Sequence, residues 1–511
     1  GLRLGGQLFP VMTQDYIGAI NTYSVLPFIA WLGPTPAAVR LPSILGGGLT
    51  LLLAYALTAR LTGQRRAGLA AALLLAVDPT FVFWTRQGIF VTAITAPLGL
   101  AAALCWLRRG QGGGPGWSVA GAFCLGVGLY AKLLFIWLIA AMAGALILVN
   151  LGQGRKVWGD LKRKKPKVNF GLPVNWPSKR EIGFSMLAFL LGCWPLLFYN
   201  LQTGGTWRSI IENAGTSFYG VDNAALGANL LARIGQFGSL LTGSHLWYLG
   251  QIYANPLPGL ALAVILLGVG GVMIRRAAPL DRLSQATLFP FVVIALVIVA
   301  SIQTVSALWV THFALLLPWP AIALATGGGF LGQLSTRSIF RWGMGLGLAL
   351  LLLTNLTTTV RYHLSLTESG GLSTHSDAIY DLSDWLAAQT TAETPVVAMD
   401  WGLAAPIFYL TGGQVAPVEV FGYVWQPDDN LTGRLARFVD QPATLYLWRA
   451  PDEIIFDRSD EFKALYRPLA LEETIEAAFY ERSGRPILGI TRLVTCGTPG
   501  IQSPEPAPHC P

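Results

Sequence analysis

The chain has 511 residues, of which 53% are hydrophobic and only 12% charged. Soluble proteins carry about 25% charged residues, so this composition argues against an ordinary soluble enzyme and points to lipid. The net charge of +8 hides an asymmetry: residues 1–362 carry 26 Lys+Arg against 7 Asp+Glu, and residues 363–511 carry 9 against 20. A basic membrane part and an acidic soluble part follow. The basic residues punctuate apolar runs instead of forming a patch, so no nucleic-acid partner is expected.

The sequence starts with Gly, and an N-terminal segment is expected upstream of it. Residues 1–36 read as an outer juxtamembrane segment. Within it, QLFPVMTQDYIGAINTY is too polar to span, but Leu8, Val11, Ile17, Ile20 and Tyr23 would rest on the membrane interface. A crossing helix needs about 20 apolar residues. About ten candidate spans make up a transmembrane domain over 37–362: 37–61, 67–84, 88–107, 117–130, 133–150, 182–200, 257–274, 286–305, 312–331 and 342–359. Tyr130-Ala131-Lys132 separates two short ones. A tight turn is preferred there to one long kinked helix, because two spans keep the charge pattern consistent.

Arg65-Arg66, Arg108-Arg109, Arg275-Arg276 with Arg282, Arg337 with Arg341, and the basic loop 151–181 fall on one side. The positive-inside rule makes that side cytoplasmic. The cluster from Lys162 to Lys167 would hold this topology and touch anionic membrane lipid. Residues 1–36, the loop 201–256 and everything after 360 then lie outside. The expected fold class is a polytopic α-helical membrane protein, in a bacterial plasma membrane, with a C-terminal extracytoplasmic α/β domain over 363–495.

In that domain Asp377 to Gln389 has helical spacing, Pro395 to Met399 reads as a buried strand ending at Asp400, and Ala404 to Leu410 reads as a helix. Thr444 to Trp448 and Ile487 to Val494 are two more strands, giving a small layered sheet. Residues 496–511 form a Pro-rich tail flanked by Cys496 and Cys510, which either pair in an oxidising compartment or stay unpaired. Cys105, Cys124 and Cys193 sit in apolar runs as small core residues.

No Walker, GxGxxG, nucleophile-elbow, CxxC or HExxH pattern occurs. The chemistry must therefore come from polar residues at the membrane edge, where charge is costly. Asp160, Glu181 and Asp281 read as loop charges on the basic side. Asp15, Asp78, Glu212 and Asp222 remain on the outer side as possible general bases. Asp78 precedes Pro79 and could instead cap a helix break. Glu212 and Asp222 read as solvated loop acids. Arg40, Arg86 and Lys132 are outer cations that could clamp a lipid phosphate or simply snorkel to lipid headgroups. His245 and His312 lie at the same boundary as proton carriers, metal ligands or hydrogen-bonded interface residues.

The runs YIGAINTYSVLPFIAWLGPTPAAVRLPSILGGGLTLLLAYALTARL, AALLLAVDPTFVFWTRQGIFVT and GVGLYAKLLFIWL resemble the first half of the GT-C membrane glycosyltransferases. More narrowly, they are similar to the protein O-mannosyltransferase and aminoarabinose transferase superfamily, which is glycosyltransferase family 39-like. THFALLLPWPAIALATGG is similar to that family's late span, and DWGLAAPIFYLTGG to a piece of its outer domain.

The resemblance implies a sugar transferase whose donor is a polyprenyl-phosphate sugar and whose acceptor is a protein, lipid or glycan. It implies direct displacement at the anomeric carbon, with a loop carboxylate as base and outer cations holding the leaving phosphate. The family carries an acid pair after its first span, upstream of the matching runs. Here either Asp15 is the base, with Tyr16 beside it on the substrate, or Asp15 is a substrate residue and the base precedes Gly1. A divalent metal is compatible, with no ligand set identified. The outer domain would guide the acceptor. Two other readings compete: a non-catalytic accessory subunit of a membrane complex, and a transporter of lipid-linked sugars.

Overall fold

The computed structural model describes residues 1–88, 90–161, 177–217, 219–276, 282–306, 309–334, 338–391, 393–420 and 430–495. Lys162 to Lys167, Asp281, Arg337, Cys496, Cys510 and the Pro-rich tail fall outside them. The chain divides into a membrane unit, residues 1–245 and 253–360, and an α/β unit, residues 246–252 and 361–511.

The membrane unit opens with two short antiparallel hairpins, β1 (Leu2–Leu4) with β2 (Gln7–Phe9), and β3 (Met12–Gln14) with β4 (Ile17–Gly18). Helix α1 (Ile20–Leu32) follows inside the stretch expected to be an interfacial segment, because the run from Ile20 to Leu32 is apolar enough for a helix. Next come α2 (Pro36–Thr62), α3 (Arg65–Ala76), α4 (Pro79–Gln87), α5 (Phe90–Gly110), α6 (Gly116–Ala131), α7 (Phe135–Leu161) and α8 (Lys179–Thr203). Short helices α9 (Gly205–Glu212) and α10 (Leu226–Thr242) lead to α11 (Leu257–Arg276), α12 (Arg282–Ala300), a 3-10 turn at Val310–Leu316, α13 (Pro318–Leu334) and α14 (Ser338–Ser369). Among the described residues five helices are long and apolar enough to cross a membrane, or seven if each of two bent pairs is one span.

The candidate span 67–84 is one of those pairs. It bends by 63° between α3 and α4. Pro79 cannot continue a helix hydrogen-bond ladder, and Asp78 caps the second piece by accepting the Phe81 N–H at 2.8 Å. Asp78→Ala removes this cap, worth about 1 kcal/mol, and lowers the thermal midpoint in detergent. Asp78→Asn keeps an acceptor and retains most of the stability. Equal midpoints for the two variants would rule out the capping role.

The second pair bends by 46° between the 310–316 turn and α13. The turn separating α6 from α7 spans only residues 132–134, and two helices form there. Helices α6 and α8 meet backbone to backbone. A Cβ on Gly126 would overlap the Phe189 carbonyl, and one on Gly192 would lie 2.6 Å from the Phe123 carbonyl. Small residues permit this approach where lipid offers no hydrophobic driving force. Glu181, read as a loop charge, is instead buried in the first turn of α8. It takes both Arg109 Nε, at 2.6 Å, and Nη2, at 2.8 Å, and accepts from Ser118 at 2.5 Å, tying α5, α6 and α8 at their basic ends.

The α/β unit is built on a five-stranded sheet of order β6-β5-β7-β9-β8. Its elements are α15 (Ala378–Gln389), β5 (Val396–Ala398), α16 (Ala404–Leu410), β6 (Val418–Glu419), α17 (Leu431–Val439), β7 (Leu445–Arg449), α18 (Ser459–Tyr466), β8 (Leu471–Tyr480) and β9 (Pro486–Thr495). β6, β5 and β7 are parallel, and β9 and β8 add antiparallel. Side chains alternate across each strand. Leu445 and Leu447 therefore pack with Leu382, Leu386 and Ile407 on one face, while Tyr446 packs with Leu435 and Phe462 on the other. Asp400, just past β5, is buried. It accepts the N–H groups of Trp401, Ile455 and Phe456 and pairs with Arg449 at 3.2 Å.

Glu481, after β8, receives Arg485 at 2.7 Å. The Arg485 guanidinium, with help from the Ser373 N–H, holds the Glu481 carboxyl below its ordinary range. A folded pKa below the unfolded one stabilises above the unfolded value, and the contribution is lost as the pH falls through the folded one. Glu481→Gln is therefore expected to flatten the acid limb of thermal stability below about pH 4.5. An unchanged acid limb would show that Glu481 contributes nothing to it.

Candidate active site

The tip of the β3–β4 hairpin is Asp15-Tyr16, and two distant pieces of chain hold it. Ile17 makes an antiparallel bridge with Lys132, and Leu133 N–H donates to the Tyr16 carbonyl at 2.9 Å. The turn between α6 and α7 thus becomes a third partner of the hairpin. Tyr130 fixes the register by donating its hydroxyl to the Val11 carbonyl at 2.8 Å. Gly18 is required here, since a Cβ on it would overlap the Tyr130 carbonyl. On the other side Thr206 donates to the Asp15 carbonyl at 2.5 Å, and Asn200 holds Thr206 in turn. The Tyr199 hydroxyl donates to the Asp15 carboxylate. Gly205 lies so close that its Cβ would be 2.8 Å from Asp15 Oδ1. Asp15 itself is half-buried.

Five residues beyond Lys132, the Trp137 ring meets His312 edge-on with centroids 6.4 Å apart. It also lies 5.7 Å from the guanidinium of Arg233, which stands 5.5 Å from the Phe313 ring as well. Arg233 is fully buried. Its Nε donates to the Ser301 carbonyl at 2.9 Å and its Nη1 to Gln236 at 2.9 Å, while Nη2 is buried with no hydrogen-bond partner among the described residues. His312 is likewise buried. Its Nε2 faces Ser306 Oγ at 3.1 Å, and its Nδ1 has no such partner. The charges of Lys132 and Arg233 both act on the His312 ring. A buried N–H without an acceptor is costly, so Arg233 Nη2 gives this cluster spare capacity to donate to an anion.

The other sequence candidates gather elsewhere at the same end of the bundle. Arg40 and Arg86 are electrostatic neighbours beside Gly88, where a Cβ would lie 3.8 Å from Arg40 Cα. Arg86 Nη1 is buried with no hydrogen-bond partner among the described residues. His245 packs edge-on to Trp84 at 4.9 Å, and its Nδ1 meets the Ser239 carbonyl at 3.0 Å, in the contact between α4 and α10. Two residues escaped the sequence reading. Arg233 falls in the stretch expected to be the outer loop 201–256; its setting in the apolar run LLARIGQFGSLL was the available signal. Tyr199 looked like part of a span. Among the described residues no group of three or more His, Cys, Asp or Glu gathers to hold a metal.

Residues 25–164 match the family model described as dolichyl-phosphate-mannose-protein mannosyltransferase. Arg40, Arg86 and Lys132 lie within that match, and Asp15 precedes it. No curated relative matches the sequence. Solved structures are similar over most of the chain, among them two of one protein. ArnT from Cupriavidus metallidurans bound to undecaprenyl phosphate aligns with a TM-score of 0.56 at 14% identity, covering 94% of this chain and 88% of that one. The apo state of the same protein aligns with a TM-score of 0.54 at 14% identity, covering 92% and 86%. The chain therefore shares the fold of those structures, the GT-C fold expected from its sequence, and residues 25–164 match the mannosyltransferase family model.

Proposed function

We propose that the protein is an enzyme that moves a sugar from a polyprenyl-phosphate donor to a protein, lipid or glycan acceptor. The observation that carries this reading is the Ile17–Lys132 bridge, which ties the hairpin bearing the half-buried Asp15 to the distant turn bearing Lys132. Likeness to a structure bound to undecaprenyl phosphate supports the donor class.

In this reading Asp15 takes the proton of the acceptor hydroxyl, with Tyr199 orienting the carboxylate and Tyr16 facing the substrate. The acceptor oxygen bonds to the anomeric carbon, and the carbon–oxygen bond to the phosphate breaks. The departing lipid phosphate keeps the electron pair, and its charge is met by Lys132, Arg233 and the unpaired N–H groups around them. Arg40 and Arg86 hold a lipid phosphate on its way in or out. His245 remains a packing residue of the α4–α10 contact. A divalent metal would add charge at the phosphate, and the assay below includes it. The reaction faces the extracytoplasmic side, as the positive-inside rule implies.

The test is release of lipid phosphate by purified protein from a panel of polyprenyl-phosphate sugars, with and without divalent metal. Release with one donor and a suitable acceptor is the expected result. Folded protein that releases nothing from any donor would favour the accessory-subunit reading.

A further inference from the structure

Between α3, α11, α13 and the first half of α14 lies a groove of about 1040 Å³, at the top of the ~300–1,000 Å³ range of small-molecule sites. Its walls are apolar. Leu260, Val264 and Leu350 on its rim are 59%, 65% and 50% exposed, so the groove opens sideways. Glycines of α13 and α14 leave it unfilled; a Cβ on Gly345 would meet nothing within 4 Å. The polar lining collects at one end, where Gln64, Arg66, Gln333 and Arg341 mark the start of α3, the end of α13 and the start of α14. Gln64 Nε2 is buried there with no hydrogen-bond partner among the described residues.

This end carries the arginine pairs and is opposite, along the alternating helices, to the Ile17–Lys132 bridge. It faces the cytoplasm by the positive-inside rule. An apolar groove does not hold water, and inside a bilayer the filler at hand is lipid. We infer that the groove seats one anionic glycerophospholipid of the cytoplasmic leaflet. Its acyl chains lie along α11, α13 and α14, and its phosphate lies at Arg66 and Arg341 with Gln64 donating to the headgroup. The two arginines supply charge complementarity, and the sideways opening supplies the route. The site is separate from the donor's phosphate site and does not depend on the transferase reading.

The test is native mass spectrometry of the full chain released from vesicles of equal phosphatidylglycerol and phosphatidylcholine. The expected result is one retained phosphatidylglycerol, favoured roughly tenfold over phosphatidylcholine, with the preference lost in an Arg66→Gln/Arg341→Gln variant. Gly345→Leu, placed where the groove is open, should abolish retention of either lipid. Three results would overturn the inference: no retained lipid, equal retention of the two lipids, or the same preference in the arginine variant. Displacement of the bound lipid by added polyprenyl phosphate would also overturn it. Should the arginine variant fail to fold, the wild-type preference and Gly345→Leu still decide the question.

Discussion

Asp15→Asn lowers donor turnover by about 10²–10⁴-fold, the range general-base catalysis contributes, while the protein keeps its fold and its donor KM. The fold is expected to survive because the hairpin is anchored through backbone. Thr206 donates to the Asp15 carbonyl, Leu133 donates to the Tyr16 carbonyl, and Ile17 pairs with Lys132. Asparagine also keeps an oxygen acceptor for the Tyr199 hydroxyl. Only the ability to take a proton is lost. The measurement is kcat for lipid-phosphate release, with acceptor saturating, alongside the thermal midpoint. A kcat within about threefold of wild type would place the base elsewhere, since it is far below the loss of a general base. Tyr199→Phe should give a smaller loss, because it removes the orienting hydroxyl and leaves the carboxylate in place.

Arg233→Met lowers kcat by about 10²–10³-fold, the cost of removing one donor to a developing anion. The side chain is fully buried, and one of its guanidinium nitrogens has no hydrogen-bond partner among the described residues. Arg233→Lys keeps the charge but loses the fork that bonds Ser301 and Gln236, so it should recover part of the rate. If Arg233 and Lys132 share the leaving phosphate, the Arg233→Met/Lys132→Met double variant will lose less than the product of the single losses. A variant with normal kcat and a lowered thermal midpoint would make Arg233 a packing residue under Trp137 and Phe313.

Much of the fold was legible because hydropathy and charge act locally. The ten apolar runs each coincide with a helix or a bent pair. The lysine at the end of LYAK ends a helix, and Asp78-Pro79 breaks one. In the α/β unit the strands at 396–398, 445–449 and 486–495 were readable from continuous apolar runs. β8 was not, because LEETIEAAFY places Glu472, Glu473 and Glu476 in a strand whose partner is supplied only by β9. α17 and α18 were also passed over: each is a short helix with one apolar stripe, sheltered by the second face of the sheet.

The sequence by itself pointed to a membrane-embedded protein with its arginine pairs on one side, and it put forward Asp15, Lys132 and His312 as candidates on the other. Tertiary structure decided the pairings. It joined Asp15 to Tyr199 across 184 positions, buried Arg233 against Trp137 of α7 and the Ser301 carbonyl just past α12, and turned Glu181 from a loop charge into the centre of a three-helix ion pair. The reason is physical. Transfer into lipid depends on the composition of about 20 consecutive residues, whereas a charge is satisfied by whichever partner packing brings within hydrogen-bond distance. No local pattern in the sequence encodes that partner.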